Sequence, residues 1–214
     1  MDKKQLYDKV INYFRQAMPD PKTELNYKKP FELIVAVVLS AQCTDVRVNK
    51  ITPALFEKYP TPQAMAQATT EEIFEFIKSC SYPNNKSKHL VAMAKMLAEE
   101  FNGEVPSDID QLQKLPGVGR KSANVIASVV YDKPYIAVDT HVFRVAARIG
   151  LTENAKTPLD AEKQLTENIA PELRPKAHHW LILHGRYVCT ARKPKCDKCG
   201  LKDICKYYNE NLTS

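Results

Sequence analysis

The chain has 214 residues, 44% apolar and 26% charged, which fits a globular protein with a substantial core and excludes a disordered or collagen-like chain. Its net charge of +6 favours nucleic acid or another acidic partner, although many proteins without such partners are equally basic. No apolar run approaches the ~20 residues of a membrane span and no signal core follows Met1, so we expect a cytoplasmic protein (nucleoid-associated if bacterial) without a membrane partner.

Apolar residues at helical spacing dominate the sequence, and period-2 alternation is scarce. The first stripe consists of Leu6, Val10, Ile11 and Phe14. Residues 31–39 are apolar nearly all round and indicate a buried helix, although their number also suits a central strand. Further helices are predicted at 45–59, 70–80, 85–101, 108–114, 120–131, 140–150, 158–170 and 176–188. We therefore predict an all-α protein of roughly ten helices.

Residues 115–122, with the sequence LPGVGRKS, place two glycines between two predicted helices. Gly117 and Gly119 allow a sharp turn and bring backbone amides close to a helix N-terminus, a geometry that suits a phosphate oxygen. The spacing is not that of a nucleotide P-loop and no strand precedes it, which disfavours ATP binding. An ordinary connection between two helices is the alternative.

Lys121 lies in the first turn after this loop. The positive end of the helix and the adjacent Arg120 both disfavour the charged form of its amine, and burial would act in the same direction. A neutral lysine amine is what Schiff-base chemistry requires. A solvated lysine or a phosphate contact is the alternative.

Asp139 precedes an apolar-periodic segment, where an aspartate commonly caps a helix. A carboxylate at this position also suits a proton acceptor for a lysine, or a group that stabilises a developing cation. The sequence alone leaves both roles open.

Four cysteines fall within residues 189–205, in the pattern Cys189-x6-Cys196-x2-Cys199-x5-Cys205. In an intracellular chain this density indicates a metal site rather than disulfides. Thiolate ligation permits Zn²⁺ or an iron–sulfur cluster, and the spacing alone does not decide between them. Residues 186–206 carry seven basic and two acidic side chains, so most of the positive excess lies beside the cysteines. Cys43 and Cys80 lie elsewhere and are interpreted as core residues.

Together and in this order, these motifs resemble the endonuclease III family of helix-hairpin-helix DNA glycosylases with AP lyase activity and an iron–sulfur cluster. The likeness extends over almost the whole chain and also includes the segments 39–45, 102–106, 137–145 and 178–186. It implies an all-α fold of two helical domains with a DNA-binding cleft between them. The domains would be a six-helix barrel with the helix-hairpin-helix at 22–133, and a discontinuous iron–sulfur cluster domain at 1–21 and 134–214.

The resemblance also implies roles for individual residues. Lys121 would be the nucleophile and Asp139 its catalytic carboxylate, acting on double-stranded DNA that contains an abasic site or an oxidised or ring-saturated pyrimidine. The protein would act as a monomer, and Cys189, Cys196, Cys199 and Cys205 would hold a [4Fe–4S] cluster. Expected DNA contacts are Gln42 (filling the gap left by the extruded nucleotide), Tyr82, Leu115, Gly117, Val118, Gly119, His141, Arg192, Lys193 and Lys195.

Two positions depart from the family's pattern. Cys43 stands where alanine is usual, a small change that we interpret as structural. Tyr82 stands where an intercalating leucine is common; a tyrosine can stack between bases, and the alternative is a loop aromatic packed on Pro83. For His141, packing is the alternative to a DNA contact.

Two other functions compete with this interpretation. The related glycosylase that removes adenine from mismatches lacks the lysine after the hairpin, whereas this chain has Lys121. The alternative from another class is a non-catalytic helix-hairpin-helix DNA-binding module with a four-cysteine zinc site. In that case Lys121 would be a phosphate contact.

Overall fold

The structure, a computed structural model, describes residues 1–211, which form α-helices and short 3₁₀ turns without a β-strand. The expected all-α class is therefore confirmed. The helices are α1 (Lys3–Ala17), α2 (Pro30–Ser40), α3 (Asp45–Lys58), α4 (Pro62–Ala66), α5 (Thr70–Ile77), α6 (Pro83–Glu100), α7 (Ile109–Lys114), α8 (Arg120–Tyr131), α9 (Thr140–Ile149), α10 (Pro158–Asn168), α11 (Arg174–Tyr187) and α12 (Lys206–Asn211). Within residues 1–211, no helix is long and apolar enough to cross a membrane.

Two short helices, α4 and α12, were not predicted. They have five and six residues, less than two turns, and so show no apolar periodicity. Helix α4 begins at a local signal, because the Thr61 hydroxyl accepts a hydrogen bond from the Ala64 N–H and Pro62 follows as the first helical residue.

The chain divides into two compact units. One is the continuous segment Glu24–Tyr131, and the other combines Met1–Thr23 with the chain from Asp132 onward. We call them the continuous unit and the discontinuous unit.

Helix α2 lies at the centre of the continuous unit and packs against α3, α6 and α8. All residues from Phe31 to Leu39 are buried, which explains why this segment is apolar on every side. The strand alternative for residues 31–39 is therefore wrong. Because α2 is fixed from several sides, the turn that follows it starts from a rigid support.

In the discontinuous unit, α1 packs on the C-terminal half of the chain. The ring of Phe14 stacks on Trp180 of α11, with 5.9 Å between ring centroids. The Trp180 indole N–H donates to the Met18 carbonyl at 2.7 Å, and the Tyr7 hydroxyl donates to the Leu151 carbonyl at 2.8 Å. Both ends of the chain therefore contribute to a single core.

Candidate active site and iron–sulfur centre

Helices α7 and α8 form a hairpin joined by the turn at residues 115–119. The Asp108 carboxylate caps α7 by accepting hydrogen bonds from the N–H groups of Asp110 and Gln111, at 3.0 and 2.9 Å. The turn is closed by a hydrogen bond from the Val118 N–H to the Leu115 carbonyl at 3.0 Å. The side chains of Leu115 and Val118 are buried, so they anchor the turn while its two glycines remain exposed.

The two glycines of the turn have different reasons to be glycine. Gly117 has a φ of +82°, and a Cβ there would lie 3.0 Å from the Cβ of His89 and 3.2 Å from a methyl group of Val38. Conformation and space both require glycine at this position. A Cβ on Gly119 would meet no atom of residues 1–211 within 4 Å, so the backbone at the start of α8 is open to an approaching ligand.

Lys121 lies exposed on the first turn of α8, which begins with a hydrogen bond from the Ala123 N–H to the Gly119 carbonyl at 2.9 Å. The burial considered for Lys121 from the sequence is not found. The buried face of α8 is formed by other residues of the helix, namely Ala123, Asn124, Ile126, Ala127 and Ser128. The amine of Lys121 is consequently accessible to a large substrate.

Asp139 caps α9 in the discontinuous unit. Its Oδ1 accepts a hydrogen bond from the Val142 N–H at 2.8 Å, and its side chain is half-buried. Within residues 1–211, Oδ2 accepts no hydrogen bond. The structural role foreseen for Asp139 is therefore present, and one carboxylate oxygen is left for chemistry.

Gln42 and Tyr82 lie on two loops that touch each other. Both residues have a φ of +54°, an uncommon conformation for residues other than glycine, and both side chains are exposed. The Ser81 hydroxyl donates to the Gln42 carbonyl at 2.6 Å. Tyr82 is 62% exposed, so much of its ring surface is available for stacking.

Lys86, which the sequence analysis did not single out, stabilises the turn that carries Gln42. Its ammonium is buried and donates to the carbonyls of Leu39 and Ala41, at 2.7 and 2.6 Å. These carbonyls lie at the end of α2, where a cation is favourable because of the helix dipole. Burial lowers the pKa of Lys86. Lys86 therefore connects the first turn of α6 to the turn that carries Gln42.

His141 lies at the contact between α9 and α11. A Cβ on Gly185 would come within 2.9 Å of the His141 Cβ, so the two helices approach closely at this glycine. The Nδ1 of His141 is 3.2 Å from a guanidinium nitrogen of Arg144, which also donates to the Gly185 carbonyl at 2.8 Å. These contacts favour packing as the role of His141, and the sequence had given Gly185 no defined role.

The four clustered cysteines line one pocket of about 360 Å³, counting the open space at its mouth. Cys196 begins one 3₁₀ turn, Cys199 follows it, and Cys205 follows a second turn. Four sulfur donors among apolar neighbours such as Ile149 and Leu201 fit an iron–sulfur cluster. Within residues 1–211, no three His, Cys, Asp or Glu side chains are arranged to hold a single metal ion. Burial raises the pKa of the Cys199 and Cys205 thiols. Binding of an iron–sulfur cluster must therefore displace the protons of these thiols.

Arg148 of α9 shapes the loop that follows Cys189. Its guanidinium donates to the carbonyls of Thr190 and Ala191, each at 2.8 Å, and to the Cys189 sulfur at 3.5 Å. The same guanidinium stacks on the Tyr207 ring at 4.7 Å from the centroid. One arginine thus connects a cluster cysteine to the loop beside it. The sequence gave no signal for this role, because the contacts join positions about 40 residues apart.

The basic loop at residues 190–195 is also closed by its own hydrogen bonds. The Thr190 hydroxyl donates to the Lys193 carbonyl at 2.6 Å, and the Lys195 N–H donates to the Val188 carbonyl at 2.9 Å. The side chains of Arg192, Lys193 and Lys195 are exposed. The loop therefore presents three cations on an ordered backbone.

Comparison with known proteins identifies the class of this hairpin protein. Residues 35–171 match the HhH-GPD superfamily of base excision DNA repair proteins, and residues 189–205 match the iron–sulfur binding domain of endonuclease III. The chain is 47% identical over 210 residues to endonuclease III of Rickettsia felis, with 98% of each chain covered. It is 44% identical over 198 residues to endonuclease III of Escherichia coli K12, covering 92% of this chain and 93% of the other. The chain therefore belongs to the endonuclease III family.

Solved structures agree with this assignment. A trapped endonuclease III–DNA covalent intermediate superposes with a TM-score of 0.93 at 43% identity, covering 99% of this chain and all of the other. A non-covalent endonuclease III–DNA complex also gives 0.93, at 42% identity and full coverage of both chains. The expected family, a base-excision-repair DNA glycosylase with a [4Fe–4S] cluster as its cofactor, is confirmed. The zinc-binding, non-catalytic module is excluded.

Proposed function

We propose that the protein is a bifunctional enzyme that excises oxidised or ring-saturated pyrimidines from duplex DNA and then cleaves the strand by β-elimination. The observation that carries the proposal is Lys121, an accessible amine on the first turn after the hairpin. A relative with 43% identity has been solved as a covalent intermediate with DNA, which supports a nucleophile of this kind.

In the first step, the neutral amine of Lys121 attacks C1′ of a nucleotide that has been flipped out of the duplex. The C1′–N bond to Lys121 forms as the glycosidic bond breaks, and the base leaves with its electron pair and takes up a proton. The lysine nitrogen then loses a proton, the C1′–O4′ bond of the sugar ring breaks, and O4′ takes up a proton, which gives a protonated Schiff base.

In the second step, the Schiff base makes the 2′ hydrogen acidic. A base removes this proton, and the electron pair forms a C1′–C2′ double bond while the iminium nitrogen becomes a neutral enamine nitrogen. The C3′–O bond then breaks as a C2′–C3′ double bond forms and the C1′–N iminium is restored. The strand is thereby cut on the 3′ side, with the phosphate as the leaving group. Water finally hydrolyses the imine and regenerates Lys121.

Asp139 would assist the first step. Its Oδ1 is held by the Val142 N–H, which fixes the carboxylate, while Oδ2 is left to accept a proton from Lys121 or to stabilise positive charge on the sugar. The N-cap hydrogen bond thus acts as the positioning contact for a catalytic group.

The protein would hold DNA in two ways: through contacts with backbone phosphates, and through side chains that fill the gap left in the duplex. The exposed glycine backbone of residues 117–119 offers N–H groups at the start of α8 to a phosphate, with Leu115 and Val118 as anchors. Gln42 and Tyr82 would occupy the space that the flipped nucleotide vacates. The basic loop would contact backbone phosphates. The contacts of His141 with Gly185 and Arg144 favour a packing role over a DNA contact for this residue.

The unit boundaries support a barrel domain at 22–133 and a discontinuous cluster domain at 1–21 and 134–214. The enzyme would act as a monomer. Cys189, Cys196, Cys199 and Cys205 would hold the [4Fe–4S] cluster. When bound, it supplies four iron–thiolate bonds that cross-link the two 3₁₀ turns and the end of α11. Arg148 contacts both the Cys189 sulfur and the Thr190 carbonyl, so it would couple the cluster site to the basic loop.

The two hairpin glycines give a matched pair of substitutions. Gly117→Ala should destabilise the protein by roughly 1–3 kcal/mol, because it combines a left-handed φ with contacts to His89 and Val38. Gly119→Ala should leave the free energy of unfolding within about 1 kcal/mol, since it meets open space. Its methyl group should nevertheless weaken binding to an abasic duplex. Denaturant unfolding and DNA titration measure both; a stable Gly119→Ala variant with unchanged affinity would mean that phosphate does not approach here.

The substrate class is tested with a panel of defined duplexes. Each carries one ring-saturated pyrimidine, oxidised pyrimidine, oxidised purine, abasic site or normal base. We expect cleavage 3′ to the pyrimidine lesions and the abasic site only, with base release and strand cleavage quantified separately. Cleavage restricted to the oxidised purine would refute the assigned substrate class, and binding of the pyrimidine lesions without base release would refute the proposed activity on them.

A further inference from the structure

Two cysteines outside the cluster come together at the base of the Gln42 and Tyr82 loops. The sulfur atoms of Cys43 and Cys80 lie 3.6 Å apart, although 37 positions separate them in the sequence. Cys43 lies in the turn between α2 and α3 and is half-exposed, whereas Cys80 lies between α5 and α6 and is buried. The interpretation of Cys80 as a core residue is confirmed, whereas Cys43 is only half-buried, and their direct contact was not predicted.

Each cysteine lies next to a proposed DNA-contact residue. Gln42 directly precedes Cys43, and Tyr82 follows Cys80 by two positions. The two loops already share the hydrogen bond from the Ser81 hydroxyl to the Gln42 carbonyl. A covalent bond between the sulfurs would add a second and permanent connection at the base of both loops.

We propose that Cys43 and Cys80 form an oxidisable dithiol, at which a low-molecular-weight disulfide such as oxidised glutathione creates an intramolecular disulfide. The site itself follows from the contact between the two thiols and from the exposure of Cys43. Its effect on DNA cleavage rests on the function proposed above.

The reaction proceeds by two thiol–disulfide exchanges. Cys43 attacks one sulfur of oxidised glutathione; the glutathione disulfide breaks, and one glutathione thiol leaves with the proton from Cys43. Cys80 then attacks the Cys43 sulfur, the protein disulfide forms, and the second glutathione leaves with the proton from Cys80. Two protein thiols are oxidised, and one glutathione disulfide is reduced to two thiols.

The surroundings assign the order of these steps. Burial raises the pKa of Cys80 to about 11, so this residue is the resolving thiol and the accessible Cys43 reacts first. The cations of Lys86 and Arg47 lie close enough to Cys80 to favour its thiolate in the second exchange. The resolving step therefore has electrostatic assistance despite burial.

Oxidation should change the geometry of both loops. A disulfide needs a sulfur–sulfur distance of about 2.05 Å, so the two sulfurs must approach by roughly 1.5 Å. Gln42 and Tyr82 are held in left-handed conformations beside them, and whatever part of the approach the two cysteine side chains do not supply by rotation shifts these backbones. Because a misplacement of ~1 Å costs up to about a hundredfold in rate, we expect the oxidised enzyme to cleave abasic DNA at least about tenfold more slowly.

The experiment uses the full-length holoenzyme treated anaerobically with oxidised glutathione. After unfolding, alkylation and trypsin digestion, mass spectrometry should find the peptide Lys29–Arg47 joined to Ser79–Lys86. Cleavage activity should fall with the appearance of this product and return with dithiothreitol, while the visible absorbance of the cluster stays constant. The control is Cys43→Ala, which should keep its activity through the same treatment.

The outcomes separate the site, its effect and the proposed function. Absence of the joined peptides would refute the dithiol. Joined peptides with unchanged cleavage, or equal inactivation of the Cys43→Ala variant, would refute the effect on the loops. If the joined peptides form but the enzyme never traps abasic DNA through Lys121, the dithiol stands and the proposed function fails.

Discussion

Lys121→Gln should abolish covalent trapping of abasic DNA by borohydride and lower strand cleavage by about 10³-fold or more, because glutamine has no nucleophilic amine. Binding to an uncleavable duplex should weaken by less than about tenfold, since only one cation is lost. The exposed position of Lys121 means that the substitution leaves the core of α8 intact. Trapped complexes are counted on a denaturing gel, and affinity is measured by fluorescence anisotropy.

Lys114→Gln is the matched control for this experiment. Lys114 is an exposed lysine at the end of α7, so it belongs to the same hairpin but lies before the turn. The control should trap abasic DNA at the wild-type level. Wild-type trapping by Lys121→Gln would show that another amine is the nucleophile, and equal losses in both variants would show that only the hairpin's charge matters.

Asp139→Asn should lower the rate of base release by about 10²–10³-fold with little change in DNA affinity. Asparagine caps helices about as well as aspartate, so the hydrogen bond to the Val142 N–H can persist and the unfolding free energy should stay within about 0.5 kcal/mol. Single-turnover kinetics on a ring-saturated pyrimidine duplex measure the rate separately from binding.

Asp139→Ala separates the capping role from the chemical one. This variant loses both, so it should lose about 0.5–2 kcal/mol of stability in addition to the loss in rate. If Asp139→Asn retains the wild-type rate while Asp139→Ala loses rate and stability together, Asp139 is an N-cap only. Thermal unfolding and the same kinetic assay decide between the two.

Helix positions and the cysteine pattern were predictable because both are local in sequence. Periodicity identified α6, the continuous apolar run indicated α2 without excluding a strand, and the glycine turn located the hairpin. The supports of the site were not predictable from local pattern. Lys86 binds carbonyls 45 and 47 positions away, and Arg148 reaches a loop more than 40 positions later.

The same reason explains the misinterpreted residues. The burial considered for Lys121 depends on which face of α8 packs inward, and the contact of Cys43 with Cys80 depends on two loops meeting in space. Short-range patterns carry no such information, since one helix or turn has several possible partners. Gly185 received no role from the sequence for the same reason, because its need to be glycine comes from α9.

The division of the chain into a continuous and a discontinuous unit has a consequence for synthesis on the ribosome. Helix α1 is synthesised before the continuous unit, yet Phe14 on its apolar face stacks on Trp180. This contact can form only after more than 150 further residues have been made. The continuous unit has all its own residues once Tyr131 has left the tunnel, and it can fold during this interval. The nascent enzyme therefore acquires its hairpin lysine early, whereas cluster loading must wait until Cys205, 74 positions after Tyr131, has been made.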